Sequence, residues 1–277
     1  MPGDATDRRI EHLGETVEDV IERAVERAIV TMRDNIAEPL TIDDMARAAM
    51  FSKFHFSRIF RRVTGVSPGR FLSAIRLQEA KHLLVSTTLN VADISLRVGY
   101  NSVGTFSSRF TRSVGMSPTA YRRYRGFSSR IPVDETRGSS AGRTSTVQGT
   151  VTGPDQEDLG FVFVGLFPDP LPEGRPVRCA VLNGAGAFEL ETVPEGHWYL
   201  LVQSVRTDGS PTDAHDLDPE DIFVGSHGPI IVRRDQAVPP IEMSLKPARS
   251  IDPPVLLALL DIRRMALDQV GYRVEAA

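Results

Sequence analysis

Two nine-residue segments combine basic, hydroxyl and aromatic side chains at helical spacing. They are Ser52-Lys53-Phe54-His55-Phe56-Ser57-Arg58-Ile59-Phe60 and Ser102-Val103-Gly104-Thr105-Phe106-Ser107-Ser108-Arg109-Phe110. The chemistry on offer is hydrogen bonding and ion pairing with a polyanion. In the first segment Phe56 and Phe60, four apart, share one face and are expected in the core. Lys53, Ser57 and Arg61 fall on another face, with Arg58 flanking it. Arg58 is the best candidate for reading a base, because a guanidinium pairs bidentately with guanine and gives ~1–3 kcal/mol of discrimination. Arg61 and Arg62 suit phosphate, which positions without specifying. Phe54 fits either a thymine methyl or helix packing.

The second segment offers less. Ser102 caps its helix, while Val103, Gly104, Ser107 and Ser108 are small or apolar. Arg109 or Arg112 is expected to anchor phosphate, and Val103 to give weak apolar readout. The first segment should therefore carry most sequence discrimination.

The elements that position these residues are duplicated. Gly65-Val66-Ser67-Pro68 returns as Gly115-Met116-Ser117-Pro118, and Leu40 to Met45 matches Leu89 to Ile94. Thr41 and Asn90 are good N-caps for short helices. Met50-Phe51 and Gly99-Tyr100-Asn101 are turns, the second one residue longer, and Ser52 and Ser102 each open a further helix. Two short helices joined by a tight turn make a helix-turn-helix, whose second helix can enter a major groove. The stretch from Pro68 to Ser86 reads as one linking helix. At 1.5 Å per residue it is roughly 27 Å long, suited to setting helices apart by the ~34 Å between major grooves on one face of a duplex. Upstream, Ile10 to Met32 keeps helical spacing and is expected to form a single long helix.

The chain has 277 residues and a net charge of -4. That charge is uneven. Residues 45–130 hold 15 basic residues against Glu79 and Asp93, a balance of +13, whereas residues 131–277 sum to -10. A basic block of that density points to nucleic acid. Cys179 is the single cysteine, which excludes an intrachain disulfide and a cysteine-based zinc cluster. No apolar run approaches the ~18 residues of a membrane span, and the N-terminus lacks an apolar signal core. A reducing, cytoplasmic setting is expected.

Residues 127–146 are rich in Ser, Gly, Thr and Arg and read as a linker. From Val147 the pattern turns to period 2, in runs such as Phe161 to Val164, Ala187 to Leu190 and Trp198 to Val202. These predict a small antiparallel sandwich over 147–250. Residues 251–277 are expected to supply a helix, from Val255 to Gln269, docking on the sandwich or on a neighbouring chain. The fold class expected is thus multidomain: an all-α tandem helix-turn-helix unit, then an all-β sandwich and a C-terminal helix. His197, His215 and His227 are not at metal-ligand spacing, the acidic stretch Asp208 to Asp221 lacks the EF-hand pattern, and no catalytic constellation is present. Neither a metal, a cofactor nor an enzyme is expected.

The pattern Ser52-x-x-x-Phe56-Ser57-Arg58-x-Phe60-x-x-x-Thr64-Gly65-x-Ser67-Pro68 resembles the first half of the DNA-binding domain of AraC-type transcription regulators. Ile94-Ser95-Leu96-Arg97-Val98-Gly99-Tyr100, Phe106-Ser107-x-x-Phe110 and Gly115-x-Ser117-Pro118-x-x-Tyr121-Arg122 resemble its second half. The resemblance covers residues 21–125. It implies seven helices, with two recognition helices in successive major grooves of double-stranded DNA and RNA polymerase as a further partner. Residues 1–20 would be a helical extension to a domain spanning 21–126. The chain departs from the family at Val103, Gly104, Ser107 and Ser108, where longer polar side chains and an Arg often stand.

The cadence Gly186-x-Phe188-x-Leu190, then Val193-Pro194-x-Gly196-x-x-Tyr199, resembles carboxypeptidase regulatory-like and transthyretin-like sandwiches. Such folds host many roles. Sensing a small-molecule or protein effector, homodimerisation and protein docking all remain open for this half. The other reading of the whole chain is an interaction adaptor whose helical half has lost operator recognition.

Overall fold

The computed structural model describes residues 16–126, 145–154, 159–205, 222–233 and 236–256. Seven helices come first: α1 (Val17–Asp34), α2 (Ile42–Ala48), α3 (Lys53–Thr64), α4 (Pro68–Ser86), α5 (Val91–Arg97), α6 (Val103–Val114) and α7 (Pro118–Arg123). Their ends follow local chemistry. Thr16 and Thr41 form reciprocal capping boxes with Asp19 and Asp44. Asn90, Ser102 and Ser117 accept from the backbone N–H three residues on. Ser52 holds the N-cap backbone conformation but makes no side-chain capping bond. Pro68 and Pro118 begin α4 and α7, where a missing N–H costs nothing. The expected helix from Ile10 begins only at Val17, set by the Thr16 cap, and Ile10 and Leu13 lie outside the described residues.

The duplication extends into the core. Phe56, Phe60 and Phe71 stack at centroid distances of 5.3 and 5.4 Å, and Phe106, Phe110 and Tyr121 repeat the arrangement at 5.6 and 5.6 Å. The Phe60–Phe71 and Phe110–Tyr121 pairs meet edge-on and the other two are tilted; aromatic pairs of this kind add about 0.5–1.5 kcal/mol each beyond burial. All six rings are fully buried.

Eight strands follow: β1 (Ser145–Thr152), β2 (Phe161–Phe167), β3 (Arg178–Asn183), β4 (Gly186–Val193), β5 (Gly196–Val205), β6 (Ile222–Val232), β7 (Ile241–Ser244) and β8 (Lys246–Pro247). They form a three-stranded sheet, β4-β1-β7, and a five-stranded sheet, β3-β2-β5-β6-β8. Val147 and Phe188 of the first sheet share a buried cluster with Val162, Trp198 and Phe223 of the second. Pairing is antiparallel except between β1 and β7, which run parallel, contrary to the wholly antiparallel expectation. Gly149 permits that pairing: a Cβ there would overlap the Ile241 carbonyl oxygen.

The two halves touch. Leu171, from the run between β2 and β3, and Ile251 and Leu256, beyond β8, join the helical core. Residues 251–256 are not helical, so the expected C-terminal helix does not begin there; its remainder, the linker over 127–144 and the acidic stretch 208–221 lie outside the described residues.

Candidate nucleic-acid interface

Helix α3 buries Phe56, Ile59 and Phe60 and turns its cations outward. Lys53, Phe54, Arg58, Arg61 and Arg62 are exposed, and Ser57 is half-buried. Phe54 is 77% exposed, so helix packing is not its role. Lys53 sits 5.7 Å from the Phe54 ring centroid and 3.9 Å from Asp43. The Ser57 hydroxyl donates to the Lys53 carbonyl at 2.8 Å. Arg58 Nη2 lies 3.5 Å from His55 Nδ1. Among the described residues no carboxylate pairs with Arg58, Arg61 or Arg62. Their charges remain available to an external anion.

Helix α6 presents a sparser face. Val103 is 41% exposed, Gly104, Ser108 and Arg112 are exposed, and Ser107 is half-buried. Arg109 turns elsewhere. Its Nη2 lies 3.7 Å from Glu173 Oε2, and the Ser113 hydroxyl, one turn on, donates to the same oxygen at 2.8 Å. Residues four apart share a helical face, so the 109/113 face belongs to the contact between the halves. Arg70 of α4 completes the cluster, 2.9 Å from Glu173 and 3.1 Å from Asp169. The Gly174 N–H donates to the Ser113 carbonyl at 2.7 Å. Sequence reasoning missed Arg70, Asp169 and Glu173, since partners so far apart along the chain leave no local pattern.

Two further arginines set the helix pairs. Arg76 of α4 donates to the carbonyls of Ile36 and Glu38, at 3.0 and 2.6 Å. Arg122 of α7 donates to the carbonyls of Leu84 and Leu89, tying the end of α4 to the approach to α5. The α5–α6 turn needs glycine. Gly99 has φ +78°, and a Cβ there would sit 2.6 Å from the Ile36 oxygen and 2.7 Å from the Arg76 guanidinium. Met50 holds the matching left-handed position before α3, with φ 60°.

Lys81, deep on α4, is only 7% exposed. Its Nζ donates to Gln78 Oε1 at 3.3 Å and to the Val255 carbonyl at 3.2 Å. Burial lowers its pKa to about 8. Burial also raises the Cys179 thiol to about 11, which leaves it protonated and poorly nucleophilic near neutral pH. No group of three or more His, Cys, Asp or Glu side chains suited to a metal occurs among the described residues, and no described helix is long and apolar enough to cross a membrane.

Comparison with known proteins places the helical half. The family described as "Helix-turn-helix domain" matches residues 45–124. The transcriptional activator AarP of Providencia stuartii is 33% identical over 98 residues, which are 35% of this chain and 73% of AarP. An uncharacterized helix-turn-helix transcriptional regulator of Haemophilus influenzae is 42% identical over 82 residues, 30% of this chain but only 28% of that protein. A transcriptional regulator from Chromobacterium violaceum, described as containing an AraC-type DNA-binding domain, is 30% identical over 38% of this chain and 93% of its own, with a TM-score of 0.37. The relatives are regulators rather than enzymes. The chain belongs to the AraC-type family of helix-turn-helix, DNA-binding transcription regulators.

Proposed function

We propose that the chain is a cytoplasmic, sequence-specific regulator that grips double-stranded DNA with two helix-turn-helix units, α2–α3 and α5–α6. The recognition helices α3 and α6 enter successive major grooves, and α4 sets their spacing. Helix α3 carries most discrimination: Arg58 reads a base, with Ser52, Lys53, Phe54 and Ser57 beside it, and Arg61 and Arg62 hold phosphate. Helix α6 adds Arg112 and weak contacts from Ser102, Val103, Gly104, Ser107 and Ser108. Arg109 joins it only if Glu173 releases it. The β-rich half senses an effector or joins two copies, and RNA polymerase is a further partner.

The carrying observation is the α3 face, where Arg58, Arg61 and Arg62 are exposed without a carboxylate partner among the described residues. A mobility-shift assay on DNA upstream of the protein's own gene tests it. Wild type should give a discrete complex, and Arg58→Ala should lose most of it. Equal shifts for both proteins would reject Arg58 as a reader.

One observation favours a second reading, an interaction adaptor without operator recognition. The Arg109 side chain is engaged by Glu173, and beside Arg112 the exposed polar groups of α6 are short hydroxyls, which reach less far than arginine. The same assay separates the two: an adaptor gives no discrete shift with wild type.

A further inference from the structure

A cavity of about 490 Å³ opens between the C-terminal end of α3 and the outer face of the five-stranded sheet. Small-molecule sites are commonly roughly 300–1,000 Å³ and mostly apolar, with a few placed polar groups. This one has both. Phe163, Leu201, Met243 and Val255 supply apolar wall, and Gln203 of β5 stands beside Leu201. Gln203 Oε1 is buried and has no hydrogen-bond partner. A buried acceptor left unpaired is costly, and turning the half-buried Gln203 amide toward a donor in the cavity removes the cost.

The charge around the opening is unbalanced. Arg249 and Asp252 line it 3.9 Å apart, and Arg249 also reaches Glu22 at 3.4 Å. Arg62 and Lys246 line it too, with no ion pair among the described residues. The surplus is positive.

We propose that this cavity binds a small organic anion with an apolar body and an N–H or O–H group. The donor bonds to Gln203 Oε1, the body packs against Phe163, Leu201 and Met243, and the anionic group faces Arg62 and Lys246. Arg62 is also a proposed phosphate contact, so an anion held there competes with DNA. That consequence alone rests on the reading above.

The probe is 8-anilinonaphthalene-1-sulfonate, which carries an amine N–H, fused rings and a sulfonate. It is titrated by fluorescence into the full chain and three variants. Gln203→Leu removes the acceptor, Lys246→Glu reverses a rim charge, and Ser226→Trp plugs the opening from an exposed strand position. The expected result is saturable binding of one equivalent, weakened at least tenfold by Lys246→Glu and by Gln203→Leu and blocked by Ser226→Trp. Non-saturating binding, or affinities within twofold of wild type in all three variants, overturns the site. A bound probe that leaves DNA affinity unchanged removes the link to operator binding and leaves the site standing.

Discussion

Gly99 and Met50 occupy equivalent places in two copies of one turn, yet their side chains differ. The Phe51 N–H bonds the Ala46 carbonyl at 2.9 Å, and the Tyr100 N–H bonds the Ser95 carbonyl at 2.9 Å. Each preceding residue is left-handed, which costs a side chain with a Cβ about 1–2 kcal/mol. Met50→Gly should therefore stabilise the chain, by about 0.5–1 kcal/mol after the added unfolded-state entropy of glycine, read as a higher midpoint of denaturant unfolding. Gly99→Ala should act the other way and more strongly, by at least about 2 kcal/mol, because the new methyl meets a backbone oxygen and Arg76 as well as an unfavourable φ. Similar small changes for both variants would contradict this account of the turns. The repeat and its extra residue near Gly99 were legible in the sequence. Which of the two turn positions was strained was not, since that depends on a backbone angle and on Ile36 and Arg76, remote along the chain.

At the scale of elements, local signals carried far. Helix starts at Thr41, Asn90 and Ser117, and the proline openings of α4 and α7, follow from residues within one turn of each other. The Thr16–Asp19 capping box was equally present in the sequence and marks where α1 begins, although the apolar spacing from Ile10 suggests an earlier start. Long-range pairings left no such trace. The parallel partnership of β1 with β7 joins strands about ninety residues apart, and Arg109 gives no hint in sequence that it faces Glu173. That latch has a measurable weight. Glu173 receives Arg70, Arg109 and the Ser113 hydroxyl while only 18% exposed. Glu173→Gln should lower stability by about 1.5–3 kcal/mol, the range for hydrogen bonds to a charged group. Denaturant unfolding with wild-type midpoints would show that the latch holds nothing.

Across the whole molecule, Lys81 ties the central helix to the segment beyond β8. Its folded pKa of about 8 lies below the ordinary lysine value of 10.5, so the folded state binds the proton less readily than the unfolded chain. The penalty for burying the charge is fully present below pH 8. Stability from this group therefore rises as pH climbs from about 8 to about 10.5, by up to roughly 3 kcal/mol. Other groups titrate in that window, so the comparison is with Lys81→Met. The difference in unfolding free energy between the two proteins should narrow with pH, the methionine variant being favoured at pH 7. A pH-independent difference would mean that the lysine proton is not coupled to folding.

The charge contrast between the basic block and the acidic remainder underlies the central claim, that the α3 face reads DNA. Its most direct test is the affinity of wild type and Arg58→Ala for a specific and a scrambled duplex at two salt concentrations. For wild type, log affinity should fall linearly with log salt, with a slope of about -0.9 per neutralised phosphate. Arg58→Ala should lower the specific-to-scrambled ratio by about 5- to 150-fold, equivalent to ~1–3 kcal/mol. A ratio unchanged by the substitution, with wild-type affinity insensitive to salt, would contradict the account.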